Sequence, residues 1–434
     1  MLSGANFLMA FLLIRYTTGS DYALFVIAQA TIILLVTAQG SLITGPLSLL
    51  APQRPPADRG EMIAAIGVDQ RKILRGLALA AAAVVVVGSL FGAWNGTVTM
   101  VALATIIAGW ATLTREFFRV ALLIYSRSQD LLRVDAMYVV LAIGGAGVAI
   151  VLPAHFTLAG HAIALSTAIW AVLALAVAGR IGSLLSHRML SRSLDGAAAS
   201  AGSMHFWREM WPLGLWSAVG AGIFWLFTQS YNYIIASQIG LEAVADVNAT
   251  RILLMPAILI TVGVRALLTP NAASWLVEFG IGKLVRRLAA AVVLIGCLDL
   301  MYFAFLWFFR HRITVDFMHR HIGDLDRLLV LWGCVALLGL GRDILQTALQ
   351  ALKRLKIVAA LTGVAAVISI AIMWYGLPRW GAAATLIGQI SGETLILIGT
   401  VLLILQSHRR ARVRAKVDSF AINPPVLPPE SVDL

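Results

Sequence analysis

Apolar residues recur along this chain in long runs, separated by short gaps that hold most of the ionisable side chains. Each run approaches or exceeds the roughly 20 residues a helix needs to cross the hydrocarbon core of a bilayer. Only helices or closed barrels satisfy their backbone polar groups in lipid, and runs of this length are helices. The pattern predicts twelve spans, at about 2–17, 22–47, 73–93, 98–123, 131–153, 158–182, 209–236, 243–267, 287–309, 327–351, 355–377 and 381–405. The first is the weakest. Leu2 to Ile14 is short even with Arg15 to Thr18 as a snorkelling end, and it lacks the basic leader of a cleavable signal. It predicts a start further upstream or a short, tilted helix.

The gaps set the orientation. Basic residues crowd alternate gaps: Arg54, Arg59, Arg71 and Lys72; Arg127 and Arg133; Arg180, Arg188, Arg192 and Arg208; Lys283, Arg286 and Arg287; Lys353, Arg354 and Lys356; and the stretch His408 to Lys416 after the last span. The intervening gaps are nearly uncharged. By the positive-inside rule both termini are cytoplasmic. One gap, Arg310 to Arg327, carries both signs on the predicted outer side.

A polar Ser/Ala/Gly-rich linker at 184–206 divides the chain into an N-terminal bundle, 1–183, and a C-terminal bundle, 207–407, of six spans each. A basic and then disordered cytoplasmic tail, 408–434, follows. An even number of spans per half gives parallel repeats about an axis normal to the membrane. Duplication also shows in local echoes. Arg115-Glu116-Phe117-Phe118-Arg119-Val120-Ala121-Leu122, running on to Arg127, is matched by Arg342-Asp343-Ile344-Leu345-Gln346-Thr347-Ala348-Leu349, running on to Arg354. Gly160, Ala162 and Leu165 recur as Gly381, Ala383 and Leu386, and Ser186-His187-Arg188 as Ser407-His408-Arg409. The expected fold is an all-α integral membrane protein with two six-helix bundles around a charged central cavity.

Composition agrees: 60% of residues are hydrophobic and 12% charged, against about 25% charged in soluble domains. The net charge of +12 follows the topology of the gaps and gives no reason to expect nucleic acid. Cys297 and Cys334 lie inside apolar runs, where they are expected to pack rather than pair.

Ionisable groups within spans are expensive and tend to face a bundle interior or a wet cavity. Arg115, Arg119, Arg251 and Arg342, with Arg265 nearer a helix end, carry the rigid donor fork that suits phosphate. They are the candidate substrate-binding cations, with Gln346 beside them. The alternative is neutralisation: Arg115 by Glu116 or Asp135, Arg342 by Asp343 or Glu393. The acids Glu116, Asp135, Asp343 and Glu393, and also Asp299, are the candidates for ion coupling, or else balance the arginines. Gln29, Gln39, Gln229, Asn232, Asn248, Gln350 and Gln389 suit a hydroxyl-rich ligand or join helices. Trp211, Trp216, Trp225, Tyr231 and Tyr233 read first as interface anchors. Pro46, Pro256 and Pro270 fall in corresponding spans of the two halves and are the candidate hinges. His311, His319 and His321 lack the spacing of a closed metal site, and no phosphate-cradling Gly-Lys-Ser/Thr loop occurs. No metal or cofactor is expected, and no enzyme.

Gly4-Ala5-Asn6-Phe7 through Leu12, Leu13 and Arg15, then Asp21-Tyr22 and Phe25, resemble the opening of bacterial polysaccharide and O-antigen flippases. So do Gly45-Pro46, the Arg115 to Arg119 stretch leading to Asp135, Met255-Pro256, and Leu268-Thr269-Pro270. Those flippases belong to the multidrug/oligosaccharidyl-lipid/polysaccharide exporter superfamily. The resemblance implies a V of two bundles in the cytoplasmic (inner) membrane. It implies a polyprenyl-diphosphate-linked oligosaccharide as substrate, membrane lipids around it and polysaccharide polymerase machinery as a partner. The cavity arginines would then meet diphosphate or acidic sugar. Three rivals stay open: a drug/cation antiporter of the same superfamily, a major-facilitator transporter (Ala57-Asp58-Arg59-Gly60 faintly resembles its loop signature), and a membrane enzyme of polysaccharide assembly.

Overall fold

The computed structural model describes residues 2–151, 155–158, 161–164, 166–194, 203–352 and 354–422. Among these, eleven helices are long and apolar enough to cross a membrane, and a shorter apolar helix precedes them. The N-terminal half holds α1 (Leu2–Tyr16), α2 (Gly19–Gln39), α3 (Pro56–Leu90), α4 (Gly96–Ile124), α5 (Ser128–Val151) and α6 (Thr167–Leu194). The C-terminal half opens with α7 (Ser203–Gln238) and closes with α10 (Leu325–Ala351), α11 (Leu355–Trp380) and α12 (Ala383–Ile422). Between them the continuous stretch Leu241–His311 contains Gly280 at φ 73°, ψ 174°. That backbone divides it into α8 (241–279) and α9 (281–311).

Short polar loops start the helices. Thr18 accepts from the Asp21 amide at 3.2 Å, and Asn95 from the Val98 amide at 2.9 Å, so side chains cap α2 and α4. Gly280 has a different task. Its backbone region is nearly closed to residues with a Cβ, although a Cβ there would meet no neighbouring atom. Gly280→Ala is therefore expected to cost about 1–3 kcal/mol through strain alone, read as a lower melting temperature in detergent.

Several expectations need correction. The span expected at 158–182 begins only at Thr167. Before it lies an antiparallel hairpin, His155–Leu158 with His161–Ala164, in the register His155↔Ala164. The Ala159-Gly160 pair between two short apolar runs is a turn signal that a hydropathy count passes over. Arg71 and Lys72, read as gap residues, lie inside α3, which begins at Pro56. Within the linker, α6 runs on to Leu194 and α7 starts at Ser203, leaving 195–202 outside the described residues. The tail continues α12 to Ile422, and 423–434 fall outside the description. Cys297 and Cys334 are exposed on the bundle surface rather than packed. Tyr231 and Trp225 are buried, not interface anchors.

The halves meet unevenly. At the end of the helices away from the termini, one hydrophobic core joins both. It contains Leu13, Tyr22, Ala146 and Val172 together with Ile235, Ala245, Met318 and Leu386. Polar contacts reinforce this seam. Arg15 donates to the Phe317 carbonyl at 2.8 Å, Trp225 to the Ala30 carbonyl at 3.1 Å, and Thr31 and Tyr233 share a 2.7 Å bond. At the opposite end the core divides. Met62, Phe117, Leu122 and Leu190 pack with Phe206 and Met210 of α7, whereas Leu284, Leu288, Ile344 and Ile404 form a separate cluster of α8 to α10 and α12. The molecule is an all-α membrane protein of two bundles, sealed against each other at one end; at the other only the start of α7 stays on the first half, where Arg54 pairs with Glu209 and Trp207 donates to Asp69 at 3.0 Å, and the core of α8 to α10 and α12 is separate.

Candidate functional site

The charged side chains sit at matching places in the two halves. Arg115 and Glu116 stand on α4, the fourth helix of the first half. Arg342 and Asp343 stand on α10, the fourth of the second. Arg115 is 3% exposed, pairs with Glu116, and lies with its guanidinium 3.6 Å from the Tyr138 ring centroid. Arg119 bridges Asp135 at 3.2 Å and Glu116 at 3.3 Å. In the other half Arg342 meets Glu393 at 2.6 Å and Asp343 at 3.1 Å, and Arg265 reaches Asp343 at 3.4 Å. Neutralisation thus describes four of the five cations. Removing water from two charges is costly, and these pairs recover that cost by mutual attraction and hydrogen bonding.

Arg251 differs. It makes no ion pair among the described residues. Its Nη1 donates to the Tyr231 hydroxyl at 3.1 Å, and its guanidinium lies 5.5 Å from the Trp332 ring. Tyr231 in turn donates to Asn248 Oδ1 at 2.9 Å, and Asn248 donates to Asn232 Oδ1 at 2.7 Å. A buried chain of hydrogen bonds between α7 and α8 thereby holds the Arg251 side chain, and its Nε has no protein partner. Asp299 is the acid counterpart. It is buried, and no hydrogen bond or ion pair joins it to the described residues.

Three polar cavities connect these groups. One of about 180 Å³ lies in the first half against Asn6, Gln29, Thr112, Arg115, Glu116 and Tyr138. A second of about 180 Å³ lies between the halves; it shares Asn6 and Gln29 with the first and adds Gln229, Asn248 and Arg251. The third, about 320 Å³, shares Gln229 and Arg251 with the second and adds Arg265, Asp299, Arg342, Asp343, Gln389 and Glu393. Asn6 and Gln29 thus link the first pair of cavities, and Gln229 and Arg251 the second. Several unsatisfied buried polar atoms lie on these walls: Gln29 Oε1, Arg115 Nη1, Gln389 Oε1 and Glu393 Oε2. Such groups are rare in native proteins and mark places where a polar ligand or water belongs.

The site residues expected from the sequence therefore divide. Arg115, Glu116, Arg251, Arg342, Asp343 and Glu393 line this chain of cavities, whereas Arg119, Asp135 and Gln346 line none of the three. Acids balance the candidate cations. The third cavity holds Arg251, Arg265 and Arg342 against Asp299, Asp343 and Glu393, three of each sign. Pro46 is buried directly after a π-helical turn, Gly40–Thr44, that interrupts the second span. Pro256 lies within α8, and the Pro270 side chain is outside the described residues. Asn6, a polar residue inside an apolar run, entered the sequence reading only through the family resemblance. Tyr138 and Trp332 were not foreseen, because which ring lies under which guanidinium depends on helix packing.

The architecture defines a class: a polytopic all-α membrane protein whose linked cavities run from one bundle through the seam between the two into the other, where three cations face three acids. Among solved structures, the fold matches an inward-facing conformation of a multidrug resistance MATE family transporter of the MOP superfamily. The TM-score is 0.72, with 15% identity over 96% of each chain. An outward-facing conformation of a MATE family transporter matches at TM-score 0.59, with 16% identity over 95% of each chain. The lipid II flippase MurJ, in an inward closed conformation, matches at 0.65, with 12% identity over 94% of this chain and 90% of that one. No family model and no curated protein matches the sequence. This chain shares the fold of these MATE family transporters and of MurJ.

Proposed function

We propose that this protein is a transporter of the cytoplasmic membrane that carries an anionic lipid-linked oligosaccharide, headed by a polyprenyl diphosphate, from the inner to the outer leaflet for polysaccharide assembly. The observation that carries this reading is Arg251: a cation without an acid partner, fixed by Tyr231 and shared by two of three linked cavities. A guanidinium in that position offers its fork of donors to phosphate oxygens. The polar walls accept sugar hydroxyls, and the lipid tail stays in the bilayer. With both termini cytoplasmic, as the charge pattern requires, the sealed end is the outer one and the cavity faces the cytoplasm. The higher similarity to the inward-facing exporter than to the outward-facing one supports the same assignment. Transport proceeds by rocking of the bundles about the cavity, with the π-turn before Pro46 as a site of bending and a buried carboxylate as the coupling group. The sealed end also accounts for the mixed charges at 310–327: Arg310 pairs with Asp326 at 2.5 Å, and Arg320 with Glu242 at 3.1 Å and Asp246 at 3.6 Å.

The test is a strain lacking this protein, in which lipid-linked oligosaccharide and surface polymer are quantified together. The reading requires the lipid-linked unit to accumulate in the inner leaflet and the polymer to disappear. Accumulation in the outer leaflet would place the block at polymerisation instead. If neither quantity changes, the polysaccharide reading fails.

A second reading, a drug/cation antiporter, is favoured by Asp299, an unpartnered acid on the same cavity. Asp299→Asn separates the two. An antiporter for organic cations should lose at least tenfold in efflux, because the attraction that draws the cation is gone. A lipid-linked anion should keep its affinity for the cavity.

A further inference from the structure

A second set of unneutralised cations lies outside the cavity. Arg71 and Arg75 stand one turn apart on α3, and Arg180 on α6 faces the same region; the charges of Arg75 and Arg180 both bear on Arg71. None of the three makes an ion pair among the described residues. Arg71 donates only to the Gly67 carbonyl, at 3.1 Å, and Arg75 and Arg180 are exposed. Arg75 and Arg180 share a depth, with Arg71 one turn further from the sealed end. Arg75 lies fifteen residues from Leu90 at the end of α3, and Arg180 thirteen from Thr167 at the start of α6. Both are therefore ~20 Å from the sealed end at 1.5 Å per residue, past the middle of a hydrocarbon core about 30 Å thick. Like charges held together at that depth repel one another and call for an anion.

An apolar groove rises from this patch. It has a volume of about 950 Å³ and lies between α4, α5 and α6, with Arg180 and Ile181 at one end and Val148, Ala149 and Trp170 toward the other. Along α6 it runs from residue 181 to 170, ~16 Å of helix and close to half the hydrocarbon thickness. The Arg180 guanidinium lies 5.2 Å from the Trp110 ring at the groove wall, which orients it. The groove and the cavity lie against the same three helices, but their lining residues differ: Leu175 faces the cavity, and Ala174 and Ala176 face the groove. The hydrophobic part of α3 buries none of its side chains, so this flank of the protein faces lipid.

We infer that this flank is a binding site for an anionic phospholipid of the bilayer, with its phosphate among Arg71, Arg75 and Arg180 and one acyl chain in the groove of α4, α5 and α6. The charge selects the headgroup, and the groove selects a chain over a soluble anion. A lipid here would hold α3 to α6 without entering the transport path, so the inference stands whether or not the proposed substrate is correct.

The experiment uses the full-length protein in detergent. Binding of dioleoyl phosphatidylglycerol, dioleoyl phosphatidylcholine and inorganic phosphate is compared by native mass spectrometry and by melting temperature. The two lipids share their acyl chains and differ in charge. The expected result is binding and thermal stabilisation by phosphatidylglycerol, little by phosphatidylcholine and none by inorganic phosphate. R71Q/R75Q/R180Q should weaken phosphatidylglycerol binding by about a hundredfold, whereas the distant pair R286Q/R312Q should leave it unchanged. Gly144→Phe is the second probe. Gly144 lines the groove and a Cβ there meets nothing within 4 Å, so a side chain has room to leave the backbone at the groove wall. It should abolish retention of the lipid. Equal binding of the two lipids, full binding by the triple variant, full binding by Gly144→Phe, or equal stabilisation by inorganic phosphate would each overturn the inference.

Discussion

Arg251→Ala is expected to stop export while leaving the protein inserted and folded. Two charge-assisted hydrogen bonds to a phosphate, at about 1.5–3 kcal/mol each, correspond to at least about a hundredfold in head-group affinity. The fold should tolerate the change. Arg251 is half-buried, pairs with no acid, and its loss strands no opposite charge; Tyr231 keeps its bond to Asn248. Arg251→Lys restores the charge without the planar fork and should recover only part of the flux. The measurement is flipping of lipid-linked oligosaccharide in proteoliposomes, with melting temperature as the folding control. A folded Arg251→Ala protein that flips at the normal rate would sink the proposed role. Arg115→Ala is a weaker probe. It leaves Glu116 with Arg119 alone in a buried setting, so lost export there mixes substrate binding with damage to an ion pair.

This contrast shows where the sequence was informative. The spans were legible because crossing lipid demands length and apolarity, both of which are read along the chain. The echo between Arg115-Glu116 and Arg342-Asp343 was legible for a related reason: the two helices hold the same place in the two halves and carry their charges at the same distance from their C-terminal ends. Pairings among near neighbours followed, and Arg115 with Glu116 and Arg342 with Asp343 and Glu393 are among those expected. What hydropathy lacks is the order in which helices pack. Asp135 turns to Arg119, one turn along from Arg115. Arg251 looked like the other cations and differs only because the neighbouring helices bring it Tyr231 and Trp332 instead of a carboxylate. The charge balance of the cavity was hidden for the same reason, since Asp299 reaches it from a helix whose other residues look like lipid-facing filler.

The ion pair between Arg342 and Glu393 gives the second large effect, and it separates structure from transport. Both side chains are buried, at 7% and 4% exposure, and meet at 2.6 Å. Glu393→Leu leaves Arg342 to share Asp343 with Arg265. Removing one partner of a buried pair typically costs about 3–5 kcal/mol because the remaining charge is uncompensated, and the retained Asp343 contact places the expected loss near the lower figure. Arg342→Met with Glu393→Leu removes both charges and fills similar volume, so most of the lost melting temperature should return. Asp343 keeps Arg265 as its partner in that double variant. If the double variant is stable and still flips lipid-linked oligosaccharide, the pair is a fastening between α10 and α12. If it is stable and inactive, the charges belong to the transport cycle, and the buried carboxylate of Glu393 becomes the first place to look for ion coupling. If the double variant is no more stable than Glu393→Leu, the pair is not what holds these helices together, and the account of charge compensation in the second bundle fails.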